Sequence, residues 1–237
     1  MNGFVAVHID KAKGDVEMGK KIMECFEPAK IPALTTLAQE FCVCDRWFSA
    51  VPGPTWLNRF YAHAATCDGM IVDTVKHNYK MKTIYDSLDD NGVSWNIYYG
   101  NIPQSIMLEH HWRSLHHFKR FGKFYADIEK GELAAYTFIE PRYFNFHQWK
   151  ANDQHPPHDV MRLGEYLIAE RPTTPCARVR YGSRAYLSCS MTNMEVFSTE
   201  FPRQARCQVR MEKRPNIPPS ILHVWGCASQ PSLFRLL

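Results

Sequence analysis

The segment that most restricts the fold is Pro52-Gly53-Pro54, set between the apolar run Cys42–Ser49 and the stretch Thr55-Trp56-Leu57-Asn58-Arg59. Two prolines without amide donors, flanking a glycine, exclude both a continuing helix and a central strand. The chain must turn a stiff corner here. Upstream, residues 31–43 read as a helix starting near Pro32, with Leu34, Leu37, Ala38 and Phe41 on one face, and Cys42 to Ser49 reads as a short strand. Thr55 is therefore expected on a rigid loop just past a strand, where α/β enzymes hold reactive groups.

The alternation continues downstream. Lys82 to Gly92 is patterned as a helix with Ile84 and Leu88 facing inward and Asn91-Gly92 as its cap, and Val93 to Tyr99 follows as a strand. This helix, glycine, strand order predicts an α/β fold. His110 to Asp127 is expected to be helical, Tyr136–Glu140 to be a buried strand ended by Pro141, and Asp159 to Glu170 to be a helix. At 237 residues and 45% hydrophobic content the chain has enough apolar surface for a core. No run of about 18 apolar residues occurs, and the first residues lack the apolar region of a signal peptide, so neither a transmembrane segment nor a leader is expected. The compartment stays open. Four of the eight cysteines precede residue 171 and four follow it, with no CxxC pair, so cysteine identifies neither a metal nor a redox environment.

Three clusters carry possible chemistry. His110, His111, His116 and His117 have no carboxylate at ligand spacing beside them in sequence, which favours an aromatic helix over zinc ligation. Asn152 to Val160, NDQHPPHDV, places His155 and His158 in a proline-stiffened loop that opens a helix. Such a loop suits a metal or a phosphate, or equally an Asx turn built on Asp159. Thr55 stands where a nucleophile for acyl or phosphoryl transfer would stand, with Asn58 and Arg59 as donors for an anionic oxygen. A structural threonine beside a surface cation is the alternative.

Taken together, FCVCDRWFSAVPGPTWLNRFYAHAAT, YTFIEPRYF and NDQHPPHDV resemble the phosphoesterase family of non-specific phospholipases C and acid phosphatases, in family order and spacing. The resemblance runs from about Gly3 to Glu170. It implies part of an alkaline-phosphatase-like α/β/α sandwich, incomplete at both ends, and hydrolysis of phospholipids or other phosphate esters. It also implies a divalent metal ion, with Thr55 as both nucleophile and metal-bound hydroxyl, and Asn58, Arg59, His155 and His158 around the phosphate. Gln154 stands where many members have Asp. Leu57 replaces the usual proline, a change expected to loosen the loop. The family's first metal motif, Glu-Asn-Arg-Ser-Phe, and its second, Asp-Glu-His-Gly-Gly, are both missing, so this chain as given is expected to be inactive.

The segment 171–237 differs in kind. It carries ten Lys and Arg against three Asp and Glu, whereas residues 1–170 carry 18 against 21. A basic tail of this sort fits a non-catalytic protein contacting nucleic acid or anionic lipid. A shifted reading frame explains it better. Met191 followed by Thr192 forces the shifted triplet GAC, aspartate, and Met194 followed by Glu195 forces GGA, glycine. With permitted third bases, Ser190 to Pro202 regroups to Tyr-Asp-Glu-His-Gly-Gly-Phe-Phe-Asp-Arg-Val-Pro, which contains the missing metal motif. The expected organisation is a phosphoesterase fragment over 1–170 and an out-of-frame, poorly ordered tail over 171–237. No nucleic-acid partner is expected, and membrane contact is expected to be peripheral at most.

Overall fold

In a computed structural model of the chain, the residues described are 2–40, 42–43, 48–74, 79–155, 160–169 and 209–210. In chain order they form α1 (Asn2–Lys11), α2 (Val16–Lys20), α3 (Pro32–Glu40), β1 (Cys42–Val43), α4 (Thr55–Ala64), α5 (Ile84–Asp90), β2 (Trp95–Tyr99), α6 (Glu109–Arg113), β3 (Phe118–Arg120), α7 (Phe121–Lys130), β4 (Tyr136–Glu140), α8 (Glu165–Ile168) and β5 (Val209–Arg210).

The organising element is a three-stranded parallel sheet in the order β3-β2-β4, with Ile97 opposite both Phe118 and Phe138. Its central strand is buried from Trp95 to Tyr98. That continuous burial is what a parallel strand covered on both faces requires. Alternate residues point to opposite faces. On one face Trp95 and Ile97 pack with Tyr85 of α5, the Tyr85 and Trp95 rings 4.6 Å apart. On the other, Tyr98 meets Phe124 of α7 at 5.1 Å, and its hydroxyl donates to Asp127 at 2.6 Å. Helices on both faces of a parallel sheet make this a partial α/β/α sandwich. A second cluster of Leu57, Phe60, Cys67, Tyr79 and Leu108 seats α4 beside it.

Local signals set several boundaries. Thr83 opens α5 with a capping box, its hydroxyl accepting from the Asp86 amide while the Asp86 carboxylate accepts from the Thr83 amide. Glu165 of α8 accepts from the Ala33 and Leu34 amides at 2.5 and 3.3 Å, placing a carboxylate at the positive end of α3. Gly100, at the carboxyl end of β2, passes so close to β4 that a Cβ there would lie 3.0 Å from the Arg142 backbone nitrogen.

Three expectations are revised. The stretch expected as one helix from His110 to Asp127 is divided into α6, a short 3-10 turn at Leu115–His117, β3 and α7. The edge of the sheet takes Phe118–Arg120 as a strand because Ile97–Tyr99 offers an open ladder, and tertiary pairing outweighs local preference. Of the expected strand before the corner, Cys42–Val43 is extended and pairs antiparallel with Val209–Arg210 instead of joining the parallel sheet. The last expected helix is a π-helical turn at Val160–Gly164 continued by α8. Apart from Val209–Arg210, the segment 171–237 lies outside the described residues. Among the described residues no helix is long and apolar enough to cross a membrane.

Candidate active site

A loop with two prolines is short of donors, and Asn58 supplies them. Its side chain is fully buried and turned back into the corner. Oδ1 accepts from the Val51 amide at 3.2 Å, while Nδ2 donates among the carbonyls of Val51, Gly53 and Pro54 at 3.2, 3.1 and 3.3 Å. The corner is thus stapled from inside by a residue on the helix it introduces. Thr55 is the first residue of that helix, not a loop residue, with Pro54 in the extended N-cap position. The next amide, of Trp56, donates to the Asp73 carboxylate at 3.2 Å. Leu57, expected to loosen the loop, is instead buried in the core with Phe60 and Leu108 and anchors it.

Residues 55, 58 and 59 fall at i, i+3 and i+4, so they share one side of α4. Arg59 extends from that side to the carboxyl end of β4. Its guanidinium, 11% exposed, lies 3.3 Å from the fully buried Glu140 carboxylate and 5.3 Å from the Tyr143 ring centroid. Glu140 also accepts from the Gln104 and Ser105 amides at 2.8 and 3.0 Å. Burial would lower the Arg59 pKa, but Tyr143 and Glu140 more than offset this and raise it, so the cation is permanent. Burial together with Glu140 pushes the Tyr143 phenol well above its ordinary range, against the opposing pull of Arg59. This charged knot joins α4, the turn at residues 104–107 and the sheet edge.

One turn beyond Arg59, His63 is buried, with Nδ1 3.2 Å from the Tyr85 hydroxyl and its ring edge-on to Phe138. Burial, reinforced by the charge on Arg59, holds its pKa well below 6.5, so it is neutral. His111 is likewise buried, with Nδ1 2.6 Å from the Ser105 carbonyl, and burial lowers its pKa to about 4. His110 does find carboxylates. Its two ring nitrogens lie 2.9 and 3.0 Å from Asp86 and Asp89 of α5. Those acids are more than 20 residues upstream, which is why spacing within the histidine cluster did not reveal them. Neither His63 nor Glu140 is marked in the sequence, because a lone histidine on a helix and an acid ending a strand carry no distinctive pattern.

His155 is half-buried and lies three residues past Asn152, whose Oδ1 accepts from the Arg142 amide at 2.6 Å. Three residues span at most about 11 Å, so His155 lies within that reach of Asn152, whose side chain closes on the chain just past β4. His158 lies outside the described residues. The structure therefore gathers Thr55, Asn58 and Arg59 on one helix face, with Arg59 reaching Glu140 at the end of β4, and carries His155 on the segment after Asn152. A resident divalent ion wants several anionic or imidazole ligands. Among the described residues no three His, Cys, Asp or Glu side chains are grouped to hold one. Thr55 and the Asp73 carboxylate at the start of α4 do not by themselves make such a site.

Residues 1–171 match the Phosphoesterase family. The chain belongs to that family. Among similar proteins, non-specific phospholipase C1 of Arabidopsis thaliana is 42% identical over 177 residues, covering 72% of this chain and 32% of its own length. Non-specific phospholipase C3 of the same plant is 37% identical over 72% of this chain and 33% of its own length. Non-specific phospholipase C6 is 39% identical over 65% and 30%. The chain thus spans about a third of the length of the relatives it matches.

Proposed function

We propose that this chain carries the nucleophile-bearing part of a phosphoric ester hydrolase whose substrates are phospholipids or similar phosphate esters. The observation that carries the reading is the corner itself: a buried amide and a buried leucine fix Thr55 at the start of a helix whose Arg59 reaches Glu140 at the carboxyl end of a parallel strand. Membership of the phosphoesterase family and the likeness to phospholipases C supply the chemical class.

In this reading the Thr55 hydroxyl oxygen attacks phosphorus. The new Oγ–P bond forms as the bond to the leaving alcohol breaks, and the hydroxyl proton leaves with the products. Water then cleaves the phosphothreonine ester. His155 and His158 contact phosphoryl oxygens, and Arg59, partnered by Glu140, lends its permanent cation to the wall. Asn58 acts by holding the corner, since its amide is committed to backbone carbonyls.

The 237-residue chain alone is proposed to turn over little substrate, because it has no counterpart of the family's Glu-Asn-Arg-Ser-Phe motif and its Asp-Glu-His-Gly-Gly motif is not read in its frame. The family match stops at residue 171, where the acidic balance gives way to the basic tail, which supports the frame reading. A restored chain would carry an upstream Glu-Asn strand and the other frame after Ala169. In it, His155→Ala is expected to slow hydrolysis of a nitrophenyl phosphate ester by about a hundredfold, the effect of losing one transition-state contact. Unchanged turnover would remove His155 from the site.

A further inference from the structure

We propose that the loop Arg142–Asn152 is an anchor for an anionic phospholipid surface. Its neck is closed by a two-way bond between residues 142 and 152: the Arg142 amide donates to Asn152 Oδ1 at 2.6 Å, and the Asn152 amide donates to the Arg142 carbonyl at 3.0 Å. Inside the neck, the Ala151 amide donates to Asn145 Oδ1 at 2.8 Å, and Phe146 and Trp149 exchange backbone hydrogen bonds at 2.8 and 2.9 Å. Asn101, at the carboxyl end of β2, clamps the loop from outside, accepting from the Tyr143 amide and donating to the Phe144 carbonyl. The tip turns at His147, with φ of 47°.

This pinned scaffold holds three large rings in water. Phe144, Phe146 and Trp149 are 48, 46 and 60% exposed. An ordered loop that presents aromatics this way, when its backbone is tied down at four points, marks a contact surface. Its charge selects the partner. From Pro141 to Ala151 the chain has no acidic residue, while Arg142 and Lys150 are cationic, and the Arg142 guanidinium lies 5.9 Å from the Trp149 ring centroid. Aromatic rings with cations beside them suit the boundary between lipid phosphates and acyl chains.

Area argues against a second protein. Three half-exposed rings offer about 300 Å², from about 200 Å² each, well short of the roughly 800 Å² per partner that a stable protein interface buries. Rings inserted into an interface need no such area. The loop follows the end of β4 at Glu140 by one residue, and its Tyr143 faces Arg59, so a docked surface would lie beside the proposed phosphate site. That placement rests on the phospholipid reading; the docking itself does not.

The test is flotation of the full chain with vesicles of phosphatidylcholine containing about a third phosphatidylglycerol, at low and high salt. Wild type should float with the vesicles, more weakly at high salt. Combined Phe144→Ser, Phe146→Ser and Trp149→Ser should reduce binding at least tenfold while leaving the unfolding transition in place, and Lys150→Glu should weaken binding only to the anionic vesicles. Wild type that fails to float, or a folded triple variant that floats equally well, would overturn the proposal. So would a size-exclusion shift from dimer to monomer in the triple variant, which would make a second copy of the chain the occupant. In a restored, active chain, loss of flotation with unchanged hydrolysis of soluble nitrophenyl phosphate separates this proposal from the catalytic one.

Discussion

A single amide decides how Thr55 is presented. Asn58 is buried, and its donors and acceptor serve a corner whose prolines cannot serve themselves. Asn58→Ala leaves several backbone groups of that corner unpaired, so it should cost about 2–3 kcal/mol in urea unfolding. A second residue-scale consequence concerns pH. The folded pKa of His111, about 4, lies below its ordinary 6.5, so between those values the unfolded chain binds more protons. Stability is complete above about pH 6.5 and falls as the pH drops toward 4, by roughly 3 kcal/mol from this group. The lowered pKa of His63 acts in the same direction. Denaturant midpoints measured from pH 7 to 4.5 should fall, and His111→Gln should flatten the fall by removing one titrating group.

Between elements, the Arg59–Glu140 pair carries the junction of α4 with the sheet. Removing one partner strands the other in a buried place. Glu140→Ala should therefore destabilise by about 3–5 kcal/mol. Arg59→Ala should cost less, because Glu140 keeps its two amide donors. Unfolding of the double variant checks the coupling: its loss should fall short of the two single losses together by at least about 1 kcal/mol. This is also the scale at which sequence reading had its limits. The helix Ile84–Asp90 and strand Trp95–Tyr99 were legible because apolar spacing and capping are local, as at Ile84, Leu88 and the Asn91-Gly92 cap. The strand Phe118–Arg120 was not, because the ladder that makes it a strand belongs to Ile97–Tyr99, some 20 residues earlier. For the same reason Thr55, Asn58 and Arg59 could be picked from one short stretch, while their partners Asp73 and Glu140 could not.

For the whole molecule, the described residues form a partial α/β/α sandwich around a parallel sheet, in a chain whose residues 1–171 belong to the Phosphoesterase family. In the proposed reading, turnover requires the Glu-Asn motif of an upstream strand, the Asp-Glu-His-Gly-Gly motif that the shifted frame would restore, and the Thr55 hydroxyl. The most direct measurement compares phosphatidylcholine and nitrophenyl phosphate hydrolysis by the 237-residue chain, by a chain with the upstream strand and the other frame after Ala169, and by that restored chain with Thr55→Ala. The account predicts negligible turnover for the first, clear turnover for the second, and its abolition in the third. Full activity in the Thr55→Ala protein, or metal-dependent turnover by the 237-residue chain itself, would contradict it.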